Sequence, residues 1–173
     1  ISIGKYRLIH STILNEDRTL LVSLPRDYDK TEKAFPVLYM LYGDHINTYF
    51  AETVSVLNKY SADASIPAFI LVGIMNTDRY RDLIPLDQKG YKTGIDNFLS
   101  FFKDELVPFV EKNYRTKPYR ALLAPQAGAN FAFYTLFKEP GLFRAFFLNN
   151  PFRWNSGREL MLSMAEEYLA KNK

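Results

Sequence analysis

Apolar residues recur along this chain in two rhythms. Pro36-Val37-Leu38-Tyr39-Met40-Leu41-Tyr42 is almost wholly apolar and ends at Gly43, and Ala68-Phe69-Ile70-Leu71-Val72-Gly73-Ile74 has the same character. Such runs, lacking polar alternation, predict strands buried on both faces, as in parallel sheets. Residues 6–14 and 18–24 flank the polar triplet Asn15-Glu16-Asp17 and predict an antiparallel hairpin. Residues 120–124 and 144–148 complete six candidate strands.

A helical period fills the intervals. Residues 48–60 and 127–138 fit helices, the second stopping before Pro140-Gly141. Ile95, Phe98, Leu99, Phe102, Leu106, Phe109 and Val110 share one helical face, with a kink expected at Pro108. Ser156-Gly157-Arg158-Glu159 reads as a capping box opening a helix striped by Leu160, Met161, Met164 and Tyr168. Strands alternating with helices after an initial hairpin predict an α/β fold: a mostly parallel sheet of about six strands, flanked by helices, in one domain over residues 1–173.

Composition narrows the partners. The 173 residues are 47% hydrophobic and 16% aromatic, enough for a real core. Basic side chains number 22 and acidic ones 19, a net +3 spread along the chain rather than gathered into a stripe. A nucleic-acid footprint needs clustering, so the pI of about 9.0 does not supply one, and no nucleic-acid partner is expected. Cysteine is absent, which removes disulfides, thiolate catalysis and cysteine metal sites. No apolar run approaches ~20 residues, so no membrane span is expected. The compartment stays open between periplasmic or secreted, with a leader removed, and cytoplasmic.

The chemistry centres on Ala124-Pro125-Gln126-Ala127-Gly128-Ala129, between an apolar strand run and the helical run at Asn130. A strand, a tight turn of small residues and a helix make the arrangement called a nucleophile elbow, written G-x-S-x-G in hydrolases. Small residues hold both flanks here, but the apex is Gln126, and a carboxamide cannot be activated by a neighbouring base.

Further segments extend the likeness. They are Leu24-Pro25-Arg26-Asp27-Tyr28-Asp29, the Phe35-to-Gly43 run, Val72-Gly73-Ile74-Met75-Asn76-Thr77-Asp78-Arg79, Arg81-Asp82-Leu83-Ile84-Pro85, the Glu105-to-Thr116 stretch and Asn149-Asn150-Pro151-Phe152-Arg153-Trp154. Together and in this order they resemble the putative-esterase branch of the α/β-hydrolase superfamily, which includes esterase D-like and enterochelin-esterase-like proteins. The resemblance implies an α/β-hydrolase-like three-layer sandwich and hydrolysis of carboxylic esters by a Ser-Asp-His triad. It also implies an oxyanion hole formed by the loop Gly43-Asp44-His45, through the Asp44 backbone, and by the Ala127 N–H. In that fold the triad runs Ser, acid, His. Here both histidines, His10 and His45, precede Gln126, so the domain is expected to lack the last strands of the full fold. Loss of nucleophile and base together removes on the order of 10⁶ in rate in the type cases.

Each candidate has a structural alternative. His45 beside Asp44 suggests a base, yet neighbours in an extended loop point apart. His10 belongs to the hairpin, and two scattered histidines make no metal site. The charged stretch Asp78-Arg79-Arg81-Asp82 follows a strand end, where parallel sheets bind ligands, or it is a salt-bridged turn. Cleft candidates are therefore His45, Arg79, Asp82 and Trp154, with no cofactor and no metal expected. The phenylalanines at 98, 101, 102, 109, 131, 133, 137, 143, 146 and 147 are read as core.

These residues fit a catalytically silent esterase-like domain that binds or scaffolds, alone or as the N-terminal part of a longer protein. They also leave open an active esterase with catalytic groups outside this chain, or a carbohydrate- or peptide-binding module. The ligand would be a small-molecule ester or sugar. Residues 144–148 would form a sheet edge, apolar on both faces, which a second copy, a further segment or the last helix should cover. Light scattering on a size-exclusion peak at high micromolar concentration decides among these, a dimer being the outcome expected if a second copy covers the edge. A clean monomer would overturn the homodimer.

Overall fold

The computed structural model describes residues 3–75, 78–86, 89–149 and 158–171. Six strands form one mixed sheet: β1 (Lys5–Ser11), β2 (Glu16–Ser23), β3 (Phe35–Leu41), β4 (Ile70–Ile74), β5 (Thr116–Pro125) and β6 (Ala145–Asn149), in the spatial order β1-β2-β4-β3-β5-β6. β1 and β2 are antiparallel, β2 runs antiparallel to β4, and β4, β3, β5 and β6 are parallel. Every residue of β3 and β4 is buried, which is why both read as unbroken apolar runs.

The hairpin turn lies earlier than the polar triplet suggested. Ser11 pairs with Glu16 and His10 with Asp17, so Glu16 and Asp17 are strand residues and the turn is Thr12 to Asn15. Asn15 carries the reversal with φ 52, a conformation asparagine tolerates. Glu105 fixes the turn from outside, accepting from Ser11 Oγ, Thr12 N and Ile13 N at 2.5, 2.9 and 3.1 Å. No local signal marks a carboxylate 94 positions away.

Helices cover both faces. A π-helical turn (Ile46–Phe50) leads into α1 (Ala51–Ala62), which lies over the Leu21, Leu38, Met40 and Leu71 face. The opposite face carries the larger core, beneath α2 (Arg79–Leu83), α3 (Ile95–Ser100), α4 (Val107–Asn113) and α5 (Gly128–Lys138). Ahead of Pro108 the helix winds more loosely. Phe101–Leu106 is π-helical, Val107 N–H reaches Phe102 O, and Pro108 falls in the first turn of α4, where its missing donor is tolerated.

α6 (Arg158–Lys171) packs through Met161 and a Tyr168–Phe137 ring contact at 5.9 Å, against α5 rather than along β6. β6 pairs only with β5 among the described residues. Phe147 is 53% exposed, so it is not the core residue its type suggested. The Ser156-Gly157 half of the capping box and Trp154 lie outside the described residues.

Candidate functional site

The site is built where two neighbouring strands end. β5 runs out at Pro125 and Gln126 reverses the chain with φ 51, a left-handed conformation unusual for a side chain of this size. Gln126 N donates to Asn149 O at 2.8 Å, and Ala129 N to Gln126 O at 3.0 Å starts α5. The small flanking residues are a packing requirement. A Cβ on Gly128 would lie 3.0 Å from Leu41 Cδ1 and 3.5 Å from Ala124 Cβ, so strand, turn and helix meet closely and a larger group here would press on the Leu41 side chain.

Next to it, β3 ends at Leu41 and Tyr42 takes φ 65. His45 N then donates to Tyr42 O at 3.0 Å, closing a tight turn. A Cβ on Gly43 would sit 2.6 Å from the Gly73 carbonyl carbon, so only glycine lets this loop press onto β4. Because the loop is a turn and not extended, Asp44 and His45 do not diverge as expected. Both converge on Arg79. Its Nη2 donates to Asp44 Oδ2 and lies 3.0 Å from His45 Nε2. A guanidinium only donates, so Nε2 is the acceptor in this contact.

Aromatic rings complete the wall. Arg79 lies over the Tyr42 ring at 4.2 Å, and the His45 ring stands 5.6 Å from both Tyr42 and Tyr49. Gln126 Nε2 donates to the Tyr49 hydroxyl at 3.2 Å. The resulting cavity, about 140 Å³, is lined by Tyr42, Arg79, Tyr80, Ile84, Gln126 and Ala127. It opens beyond the carboxyl ends of the parallel strands, where such sheets place ligands. A larger hollow of about 240 Å³ lies among Lys5, Ser23, Pro25, Asp29 and Tyr114, towards the opposite strand ends, and volume alone does not make it the site.

Tyr42 is buried, and desolvation raises its pKa above the usual phenol value, opposed chiefly by the Arg79 charge.

Asp82 is not a cleft residue. It is fully buried, with Oδ2 2.6 Å from Arg18 Nη2 and Oδ1 2.7 Å from Arg81 Nε. Arg18 is equally buried, also meets Glu16 Oε1 at 2.5 Å, and has the rings of Phe98 and Phe101 at 5.4 and 6.0 Å. Arg81 reaches back to Glu16 at 2.7 Å. Two arginines and two carboxylates thus bolt α2 to β2, and α2 presents Arg79 and Tyr80 to the cavity. Asp78 caps that helix, accepting from Arg81 N at 2.9 Å. His10 is exposed on the hairpin, 2.8 Å from Asp17, away from all of this. Among the described residues, no group of three or more histidines or carboxylates could hold a metal.

Sequence reasoning missed Tyr42, Tyr49, Tyr80, Ile84 and Arg18. Arg18 was detectable, because it shares strand parity with the core residues Leu20 and Val22. Tyr42 ends an apolar strand at a glycine, which hints at a strand-end position. Tyr49 carries no local signal.

The Putative esterase family matches residues 11–159. The chain belongs to that family. An IroE-like serine hydrolase from Shewanella oneidensis superposes with a TM-score of 0.83 at 29% identity, over 97% of this chain and 56% of that one. The BES protein from Bacillus cereus gives 0.80 at 23% identity, over 99% of this chain and 69% of that one. The siderophore hydrolase EstB from Aspergillus nidulans gives 0.81 at 22%, over 97% and 62%. This family member therefore spans little more than half the length of the Shewanella protein. No curated protein matches it.

Replacing Asp82 with alanine should leave the buried Arg18 charge compensated by Glu16 alone and lower stability by up to about 3 kcal/mol, read from urea unfolding. Acid should weaken the same cluster. The hydrogen bond from Arg81, and the Arg18 charge after it, hold the Glu16 carboxyl below its ordinary 4.5 despite partial burial. The unfolded chain then binds the proton more readily, so this contribution is complete above about pH 4.5 and is lost as pH falls through the lower folded value. A Glu16→Gln variant should show a shallower loss of stability on acidification. An unchanged slope would refute the assignment.

Proposed function

We propose that this esterase-family domain is catalytically silent and binds an ester or carboxylate at the strand-end cavity without cleaving it through residue 126. One observation carries the reading. Where the elbow of this fold presents a nucleophilic hydroxyl, the left-handed apex residue is Gln126, whose amide donates to Tyr49. An amide nitrogen is not a usable nucleophile, and no neighbouring base can activate it. The similarity to a protein described as a serine hydrolase supports the comparison, because the residue type that defines such enzymes is the one replaced at the apex.

Family membership and cavity chemistry support the ligand class. The lining combines a guanidinium, an amide and phenol groups around about 140 Å³, below the ~300–1,000 Å³ of drug-sized sites. That volume suits a short acyl or carboxylate group better than an extended sugar or peptide.

Hydrolysis of p-nitrophenyl acetate and butyrate by the natural chain is expected to stay at background, and a fluorophosphonate probe should leave it unlabelled. Gln126→Ala should behave identically in both assays. Turnover above background that disappears in Gln126→Ala would defeat the silent reading and favour an active esterase.

A further inference from the structure

Among the described residues that line the strand-end cavity, Arg79 alone carries a formal charge; Tyr42, Tyr80, Ile84, Gln126 and Ala127 do not. Taken by itself, a guanidinium in the wall would make this an anion site. Its contacts change that. Nη2 donates to the Asp44 carboxylate and to His45 Nε2 at 3.0 Å, so one negative charge already stands against one positive. The charges on the same helix offer no surplus cation either. Arg81 and its neighbour Arg18 are matched by Glu16 and Asp82, and Asp78 adds a further carboxylate at the start of α2.

Hydrogen bonding is not balanced in the same way. A guanidinium has five N–H donors for its single charge. Asp44 and His45 both engage Nη2, and Nε is buried without an acceptor among the described residues. The charge is cancelled while donor capacity remains. The Gln126 amide, also in the lining, is polar and uncharged. A carboxylate entering this cavity gives up water and meets the field of Asp44 together with that of Arg79, so much of its attraction is offset. An ester carbonyl gives up less hydration and carries no charge for Asp44 to oppose.

We infer that Asp44 sets the specificity of this cavity: by cancelling the Arg79 charge it makes the site take an uncharged ester carbonyl in preference to a free carboxylate. The inference rests on the reading of the cavity as an acyl site and chooses between the two ligand forms. Asp44 is not in the lining, so it acts on the ligand through Arg79. A silent domain built this way holds the intact ester and lets the free acid go. Because the Arg79 and Asp44 side chains are 33% and 36% exposed, solvent screening holds the preference to about tenfold.

The test follows ¹H–¹⁵N shifts of the Gln126 side-chain amide and the Ala127 backbone during titration with methyl butyrate and with sodium butyrate, at about pH 7.5 and constant ionic strength. The natural chain is expected to bind the ester about tenfold more tightly than the anion. Asp44→Asn keeps the size of the side chain and an oxygen for Arg79 while removing the charge. It should bind butyrate about tenfold more tightly than the natural chain does and leave methyl butyrate within about twofold. Asp44→Glu keeps the charge and should keep the preference for the ester. If Asp44 only held Arg79 in place, Asp44→Asn would weaken both probes together. That result would overturn the inference, as would equal binding of the two probes by the natural chain. Saturable binding of neither probe would instead refute the acyl-site reading and take this inference with it, so the two failures are told apart.

Discussion

The close approach of three strand ends governs everything at this site. Gly43 lies against Gly73 so tightly that a single added carbon would overlap the β4 backbone, and Gly128 packs closely, with less constraint, against the Leu41 and Ala124 side chains. Strands packed that closely cannot leave the sheet by wide loops. Both β3 and β5 therefore turn sharply through left-handed residues, Tyr42 and Gln126, at neighbouring positions in the sheet. Two side chains that the backbone would not choose to orient this way consequently face one cavity. Packing density sets the strain, and the strain sets the geometry of the cleft.

The second constraint is electrostatic and remote. Arg18 is fully buried on β2 and would be costly alone, since isolated charges do not tolerate a core. Asp82, Glu16 and the faces of Phe98 and Phe101 compensate it. The partner carboxylate belongs to α2, the helix that offers Arg79 and Tyr80 to the cavity. The cluster therefore does more than satisfy a charge: it fixes the rotation of a five-residue helix too short to hold itself in place. A change at residue 18, on the hairpin, would be felt at Arg79 in the cavity wall.

Much of the architecture was legible because it follows from periodicity. Unbroken apolar runs marked β3 and β4 as central, and seven apolar positions at helical spacing marked the segment from Ile95 to Val110. What failed did so for non-local reasons. The hairpin turn moved to Thr12–Asn15 because Glu105, far along the chain, ligates its N–H groups. Asp82 read as a cleft residue because its partner Arg18 is 64 positions away. Asp44 and His45 were expected to diverge because a turn begun by a left-handed tyrosine has no sequence signature. The elbow itself was visible as a run of small residues, but its neighbour Tyr42 was not, since nothing local marks a tyrosine that must fold back.

The persistence of an elbow around a residue unsuited to attack follows from the same packing. Ala124, Gly128 and Leu41 define how α5 meets β3 and β5, and they would do so with any side chain at the apex, because the apex side chain projects away from them into the cavity. The turn is thus a structural joint first and a chemical device second. Once the joint is required by the core, the identity of residue 126 is released from the fold and answers only to what occupies the cleft. Gln126 hydrogen-bonds Tyr49, and Arg79 lies over the Tyr42 ring, so the side chains around the apex engage one another. A cavity whose polar groups are paired internally binds only what can displace those pairs, and that raises its selectivity at the expense of affinity.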